Sequence, residues 1–238
     1  MLNTNFHKIN FNEWQRSQYF YYFTKILPTG YNISVNIDIT NTYNMIKKVN
    51  KKFFPAYLYV ASRLISEQQE FRIANLDNEL GYYEVLHPSY SAFHNDDKTI
   101  SNMWTEYDSN FEIFYDNYID DQNKYADNHG VMAKPEMPPQ NSFMIGMLPW
   151  IEFSNYTPIP YAPMNNFYPI IQAGKFFEKD GRKIMPLSIT VHHAIADGYQ
   201  VGLFLEKLQE YMNRWFSLYN KKLLSHKLSS FLSSFSRV

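Results

Sequence analysis

The segment Ser188-Ile-Thr-Val-His192-His193-Ala-Ile-Ala-Asp197-Gly198 decides how the chain folds. Residues 182–191 carry an apolar side chain at every second position, which predicts a strand with one buried face. The strand leads into two histidines and an Asp-Gly pair, and an apolar repeat at helical spacing follows over 201–212. Catalytic groups are common where a strand passes into a loop. Strand parity places His192 and His193 on opposite faces, so at most one of them serves a site there.

Strand and helix patterns alternate along the rest of the chain. Strands are predicted over 31–39, 81–86, 89–93 and 168–177, helices from Asn12 towards Pro28 and over 55–69 and 111–125, and a Pro-rich loop over 133–141. This order predicts an α/β (α+β) two-layer sandwich, with a mixed β-sheet covered by helices. We expect one domain over 1–216 and a basic, Ser-rich extension over 217–238. The apolar side chains of that extension fall on one helical face, which fits packing on the domain, an inert extension, or a partner-binding or membrane-surface helix.

Composition excludes several classes of function. The 238 residues contain 22 Lys and Arg against 23 Asp and Glu, and this balance argues against a nucleic-acid partner. Cysteine is absent, which excludes disulfides, thiolate nucleophiles and Cys-ligated metals. The aromatic content of 18% fits a coding bias towards AT-rich codons, and it also fits a chain that builds aromatic pockets.

Neither a targeting segment nor a metal site is expected. Residues 1–8 lack the apolar core of a signal peptide, and the apolar stretch 143–151 is far shorter than the ~20 residues of a membrane span. We therefore expect a cytoplasmic protein with no membrane partner. His7, His87, His129 and His226 have no acidic or histidine partner at ligand spacing, and no Gly-rich phosphate loop is present.

The His-His-x-x-x-Asp-Gly arrangement carries the candidate chemistry. A histidine near its ordinary pKa of ~6.5 can take a proton from a hydroxyl at neutral pH. A carboxylate four residues later either orients that histidine or stabilises the turn. A lone histidine at a strand end is commonly structural, but the full arrangement is much more specific.

At these residues the chain resembles the trimeric chloramphenicol acetyltransferases, and it shares the motif with the wider superfamily of CoA-dependent acyltransferases. The resemblance covers 5–216 and rests on short segments in the same order: Trp14-Gln-Arg16, Phe53-Phe-Pro55-Ala, Glu70-Phe-Arg72, Phe93-His94, Trp104-Thr-Glu106, Lys134-Pro135, Leu148-Pro-Trp150 and Pro186-Leu-Ser. It implies a homotrimer with active sites at the subunit interfaces. It also implies acetyl-CoA as co-substrate, with no permanently bound cofactor.

The resemblance further implies the roles of three residues. His193 matches the family's general base, which deprotonates a primary hydroxyl of chloramphenicol for attack on the thioester of acetyl-CoA. No covalent acyl-enzyme forms, and the product ester confers antibiotic resistance. Asp197 matches an aspartate that pairs with an arginine at the position of Arg16 and holds the active-site loop in shape.

The implied acceptor pocket is aromatic and apolar, which suits a nitrophenyl group. Its matching positions are Phe23, Tyr90, Phe93, Ile100, Phe143, Tyr156 and Pro158, each of which also fits a plain core residue. Lys175 is the candidate contact for the phosphates of CoA.

Two departures from the family bear on rate. Gly146 replaces a serine that donates to the oxyanion of the intermediate, and Gln172 replaces a threonine that helps to hold a water there. The amide of Gln172 can donate and could partly replace both hydroxyls. Two alternatives stay open: a superfamily member with another acceptor or weak activity, and a non-catalytic protein that binds an aromatic ligand.

Overall fold

The computed structural model describes residues 4–160 and 166–214. The strands are β1 (Phe6–Lys8), β2 (Gly30–Asp38), β3 (Ile73–Leu76), β4 (Glu79–Tyr83), β5 (His87–Phe93), β6 (Ile100–Trp104), β7 (Ser142–Leu148), β8 (Ile170–Gly174), β9 (Phe177–Lys179) and β10 (Arg182–His192). The helices are α1 (Ser17–Tyr21), which continues into a π-helical turn (Tyr22–Ile26), α2 (Thr40–Lys48), α3 (Phe53–Glu67), α4 (Phe111–Tyr125) and α5 (198–214). The predicted extension over 217–238 lies outside the described residues.

A seven-stranded mixed sheet forms the centre of the molecule. Its order is β2-β10-β8-β7-β5-β6, with β9 paired to one end of β10. Strands β5, β7 and β8 run parallel to one another, and the remaining pairs are antiparallel. A small antiparallel sheet, β1-β4-β3, stands apart. The histidine-bearing strand β10 therefore lies inside the large sheet, paired on both sides.

The two faces of the large sheet differ in chemistry. On β10, Leu187, Ile189 and Val191 are buried in the core together with apolar residues of α3 and α5. On the opposite face, polar side chains lie side by side: Ser188 of β10 is in register with Ser34 of β2 and with Gln172 of β8. One face covered by helices gives two layers, which confirms the predicted fold class.

Most predicted elements are confirmed, but several differ: the strand predicted over 168–177 is divided between β8 and β9, and β1, β3, β6 and β7 were not predicted. The helix predicted from Asn12 begins at Ser17, because the carbonyl of Asn10 accepts from two N–H groups in a separate turn. Strands β4 and β5 belong to different sheets, and Pro88 lies within β5 rather than between them. Helix α2 was not predicted, although Ile39, Tyr43 and Ile46 fall at helical spacing and Ile46 is buried. The Asp38 carboxylate accepts from the Thr40 N–H at 2.9 Å and fixes its start.

No helix within the described ranges is long and apolar enough to cross a membrane.

Candidate active site

His193 follows the last residue of β10 and begins a short loop before α5. Its backbone N–H donates to the carbonyl of Thr29 at 2.9 Å, which ties the loop to the start of β2. Helix α5 then begins after Asp197, whose N–H donates to the side chain of Gln200 at 2.9 Å. This contact is half of a capping box, in which the third helical residue reaches back to the residue before the helix. The Asp-x-x-Gln spacing is a sequence signal for this cap, so the capping role of Gln200 could have been predicted from the sequence.

The surroundings of His193 determine which ring nitrogen carries the proton. Nδ1 lies 3.3 Å from the carbonyl of Ala196 and 3.2 Å from Oδ1 of Asp197, and both of these oxygens can only accept. A neutral His193 therefore holds its proton on Nδ1, which leaves a lone pair on Nε2. The ring of Phe23 stacks on the imidazole at 3.9 Å between centroids, and Tyr31 meets it edge-on at 5.1 Å. The side chain remains 30% exposed, so a hydroxyl can reach it.

Arg16 holds this loop at four points. Its guanidinium binds both carboxylate oxygens of Asp197, at 2.8 and 2.9 Å, and donates to the carbonyls of His193 and Ala194 at 3.0 and 3.1 Å. The two hydrogen bonds from Arg16 to the carboxylate are the main cause of the lowered pKa of Asp197. The pair that the resemblance implies thus holds the backbone from the histidine to Asp197.

Replacement of Arg16 by alanine is expected to destabilise the fold by about 3 kcal/mol, the low end for a broken buried pair because Asp197 is 42% exposed. Urea unfolding followed by circular dichroism measures this loss. Arg214→Ala is the matched control, because Arg214 pairs with Glu210 on the surface and should change stability by at most ~1 kcal/mol.

The same pair predicts a dependence of stability on pH. The lowered pKa of Asp197 contributes stability that is fully present above the ordinary carboxyl pKa and is lost as the pH falls through the lowered folded value. The difference in free energy of unfolding between the wild type and Arg16→Ala should therefore become smaller as the pH falls. An equal difference at neutral and strongly acidic pH would contradict this assignment.

His192 occupies a different environment from His193. Its Nδ1 accepts from the N–H of Ala194 at 3.1 Å, and its ring meets Phe167 edge-on at 5.1 Å. Burial, together with the neighbouring His193, lowers the pKa of His192. Such a ring stays neutral and shapes the turn, which leaves His193 as the candidate base.

Gly146 and Gln172 are adjacent on the polar face of the sheet. They are register partners on β7 and β8, and a Cβ placed on Gly146 would lie 2.8 Å from Oε1 of Gln172. The glutamine side chain thus occupies the space that a side chain at 146 would need. Its Nε2 donates one hydrogen to the carbonyl of Ala173 at 3.2 Å, and the second N–H can serve another acceptor.

Two members of the predicted acceptor set lie in the core instead. Tyr90 is 3% exposed, and its hydroxyl bonds to that of Thr105 at 2.7 Å, while Phe143 is 1% exposed. Both side chains point to the helix-covered face of the sheet. This burial contradicts an acceptor-binding role for either residue, because an incoming ligand has no access to them.

Phe93 and Ile100 lie far from His193 within one chain. Phe93 and Ile100 are register partners on β5 and β6, and β5 lies three strands from β10, or about 14 Å. The ring of Phe93 packs against Trp150 at 4.6 Å, and that of Tyr156 against Phe153 at 5.9 Å. Pro158 is half-buried, and Lys175 is exposed directly after β8. Phe23 is thus the predicted acceptor residue that stacks on the candidate base.

Comparison with known proteins gives a consistent assignment. The family model described as chloramphenicol acetyltransferase matches residues 4–209. A chloramphenicol acetyltransferase of Clostridium perfringens is 38% identical over 209 residues, which are 87% of this chain and 99% of that protein. A solved chloramphenicol acetyltransferase superposes with a TM-score of 0.77 at 21% identity, over 87% of this chain and 100% of the other. The Azotobacter vinelandii dihydrolipoamide acetyltransferase shares the fold, with a TM-score of 0.59 at 15% identity over 80% and 84% of the two chains. The chain therefore belongs to the chloramphenicol acetyltransferase family.

Proposed function

We propose that this protein transfers the acetyl group of acetyl-CoA to a primary hydroxyl of chloramphenicol and thereby confers resistance to the antibiotic. The observation that carries the proposal is His193, whose Nδ1 faces two acceptor oxygens at 3.2 and 3.3 Å. This arrangement leaves Nε2 free to accept a proton. Family membership and the named relatives support acetyl-CoA as donor and chloramphenicol as acceptor.

In the proposed mechanism, Nε2 of His193 takes the hydroxyl proton while the oxygen attacks the thioester carbonyl carbon. The negative charge that develops on the carbonyl oxygen accepts a hydrogen bond from the second N–H of Gln172 of a neighbouring subunit, because within one chain Gln172 pairs with Ser188, about 16 Å along the chain from His193. The tetrahedral intermediate then collapses, the C–S bond breaks, and the imidazolium returns its proton to the CoA sulfur. Asp197 stabilises the transient imidazolium through Nδ1, and Arg16 keeps the loop in place.

An oligomer is part of the proposal, because one chain supplies only part of an acceptor pocket. Phe23 and His193 lie at one end of β10, while Phe93 and Ile100 are three and four strands away. A homotrimer with the active site between subunits would bring the second group of one chain to the first group of another. Light scattering should give about three times the chain mass of 28.4 kDa. A 28.4 kDa monomer would contradict this arrangement.

The domain limits and the location are also proposals. We assign the acetyltransferase domain to 1–216 and the basic extension to 217–238. The protein would act in the cytoplasm, where acetyl-CoA is made. Lys175 is the proposed contact for the phosphates of CoA, because its side chain is exposed beside the strand that carries Gln172.

One assay distinguishes the proposal from its alternatives. The protein is mixed with acetyl-CoA and chloramphenicol, and release of the CoA thiol is followed. Turnover with chloramphenicol supports the proposal. Turnover only with another hydroxylated acceptor would indicate a changed specificity, which the Gly146 and Gln172 substitutions make worth testing. Binding of chloramphenicol without turnover would indicate a non-catalytic protein.

A further inference from the structure

A side chain from a neighbouring strand also reaches the loop that carries His193. Tyr31 is the second residue of β2 and is in register with Val191 near the end of β10. Its hydroxyl donates to the carbonyl of Ala196 at 3.2 Å, and its ring meets the imidazole of His193 edge-on at 5.1 Å. The phenol thus contacts both the candidate base and the backbone beside it, although the proposed mechanism gives its hydroxyl no role.

The carbonyl of Ala196 faces two side-chain donors. Nδ1 of His193 lies 3.3 Å from this oxygen, and the hydroxyl of Tyr31 lies 3.2 Å from it. A carbonyl oxygen has two lone pairs, so it can accept both hydrogens at once. The first backbone hydrogen bond of α5 runs from the N–H of Val201 to the carbonyl of Asp197, one residue later. The helix therefore begins after this carbonyl and does not fix it.

Two different groups fix the two oxygens that face Nδ1. Arg16 binds the carboxylate of Asp197 and the carbonyls of the first two residues of the loop. Tyr31 binds the carbonyl of Ala196 instead. Strand β2 is paired with β10 along its whole length, so the phenol extends from a firmly held backbone. Arg16 and Tyr31 thus divide the support of the base between them.

The hydroxyl of Tyr31 keeps its proton at neutral pH. Burial raises the pKa of Tyr31 to about 12, and the nearby carboxylate of Asp197 contributes in the same direction. The carbonyl of Ala196 can only accept, so the phenol is the donor of their hydrogen bond. The contact therefore persists throughout the pH range in which a neutral histidine acts as a base.

We propose that Tyr31 is a positioning residue for acetyl transfer, and that its hydroxyl holds the carbonyl of Ala196 in place as an acceptor for Nδ1 of His193. The inference rests on the proposed function, because it concerns the base of that reaction. When His193 takes the proton of the acceptor hydroxyl, it becomes an imidazolium, and its Nδ1–H bond strengthens. A carbonyl that is already fixed needs no reorganisation at that moment. The contribution of Tyr31 therefore belongs to kcat rather than to substrate binding.

Tyr31→Phe tests the proposal, because it removes the hydroxyl and keeps the ring beside His193. We expect kcat for chloramphenicol to fall ~3–10-fold, the effect of one neutral hydrogen bond, while KM for both substrates changes little. The matched control is Tyr59→Phe, which also loses a hydroxyl that donates to a carbonyl, that of Ser109 before α4, at 2.7 Å. It should keep the wild-type kcat. Urea unfolding checks that both variants are folded.

A second measurement does not depend on turnover. In protein with isotope-labelled histidine, the Nδ1–H proton of His193 should give an NMR resonance that is missing from His193→Ala. Tyr31→Phe should broaden this resonance through faster exchange with water, because one acceptor of the proton is no longer fixed. Tyr59→Phe should leave it unchanged.

The two measurements separate failure of this proposal from failure of the proposed function. In an active protein, an unchanged kcat in Tyr31→Phe, or a lower kcat with an unchanged Nδ1–H resonance, would overturn the role of Tyr31. Absence of the resonance from the wild type would overturn it as well. If the wild type does not acetylate chloramphenicol, the resonance alone decides whether Tyr31 holds the acceptor of the His193 proton.

Discussion

Replacement of His193 by alanine is expected to lower kcat for acetylation of chloramphenicol by ~10²–10⁴-fold. The loss arises because Nε2 of His193 is the proton acceptor that makes the hydroxyl a nucleophile. The loop itself should survive, because Arg16 binds the backbone carbonyls of residues 193 and 194 and the carboxylate of Asp197. The KM for acetyl-CoA should change little, since the imidazole acts on the acceptor. Steady-state measurement of thiol release with both substrates varied separates the two constants.

His7→Ala serves as the control for loss of a histidine elsewhere, since His7 lies on β1 in the small sheet. It should keep the wild-type kcat. Unfolding by urea should give similar midpoints for the wild type and His193→Ala. A kcat within tenfold of the wild type in a folded His193→Ala protein would exclude this residue as the base.

Strands with a strong period of two were predictable from the sequence alone. The predicted 182–191 and the observed Arg182–His192 differ by one residue, because alternation arises directly from one face being buried. The strand β7 was missed because Gly146 interrupts its apolar pattern. Its place in the sheet depends on pairing with β5 and β8, which are far away in the sequence.

The candidate site was predictable where the residues are close in sequence, and less so elsewhere. His193 and Asp197 share one loop, and Arg16 was found through the family resemblance. The same parity rule excludes Tyr90, because it is three positions from Phe93 on one strand and must point to the opposite face. Phe143 is excluded for the same reason, because it lies three positions from Gly146 on β7 and points to the opposite face.

Replacement of Gln172 by alanine is expected to lower kcat by ~10²–10³-fold, the usual cost of losing one donor to the oxyanion. Gly146 offers no side chain, so the free N–H of Gln172 is the donor that we assign to this part of the sheet. Gln172→Glu keeps the shape of the side chain and replaces the donating NH₂ by an oxygen. It should therefore lose at least as much activity as Gln172→Ala. Thiol release under saturating substrates measures kcat for each variant.

The close approach of Gly146 and Gln172 makes their substitutions interdependent. A serine at 146 places its Cβ 2.8 Å from Oε1 of Gln172, so Gly146→Ser alone must displace the glutamine amide and should give no more activity than the wild type. Gly146→Ser combined with Gln172→Thr removes this clash and supplies two hydroxyls in place of the amide. The double variant should therefore exceed both Gly146→Ser and Gln172→Thr in kcat, a coupling that the double-mutant cycle of these variants measures. Purely additive effects would contradict the coupling of positions 146 and 172, and wild-type activity in Gln172→Ala would exclude Gln172 as the donor to the reacting oxygen.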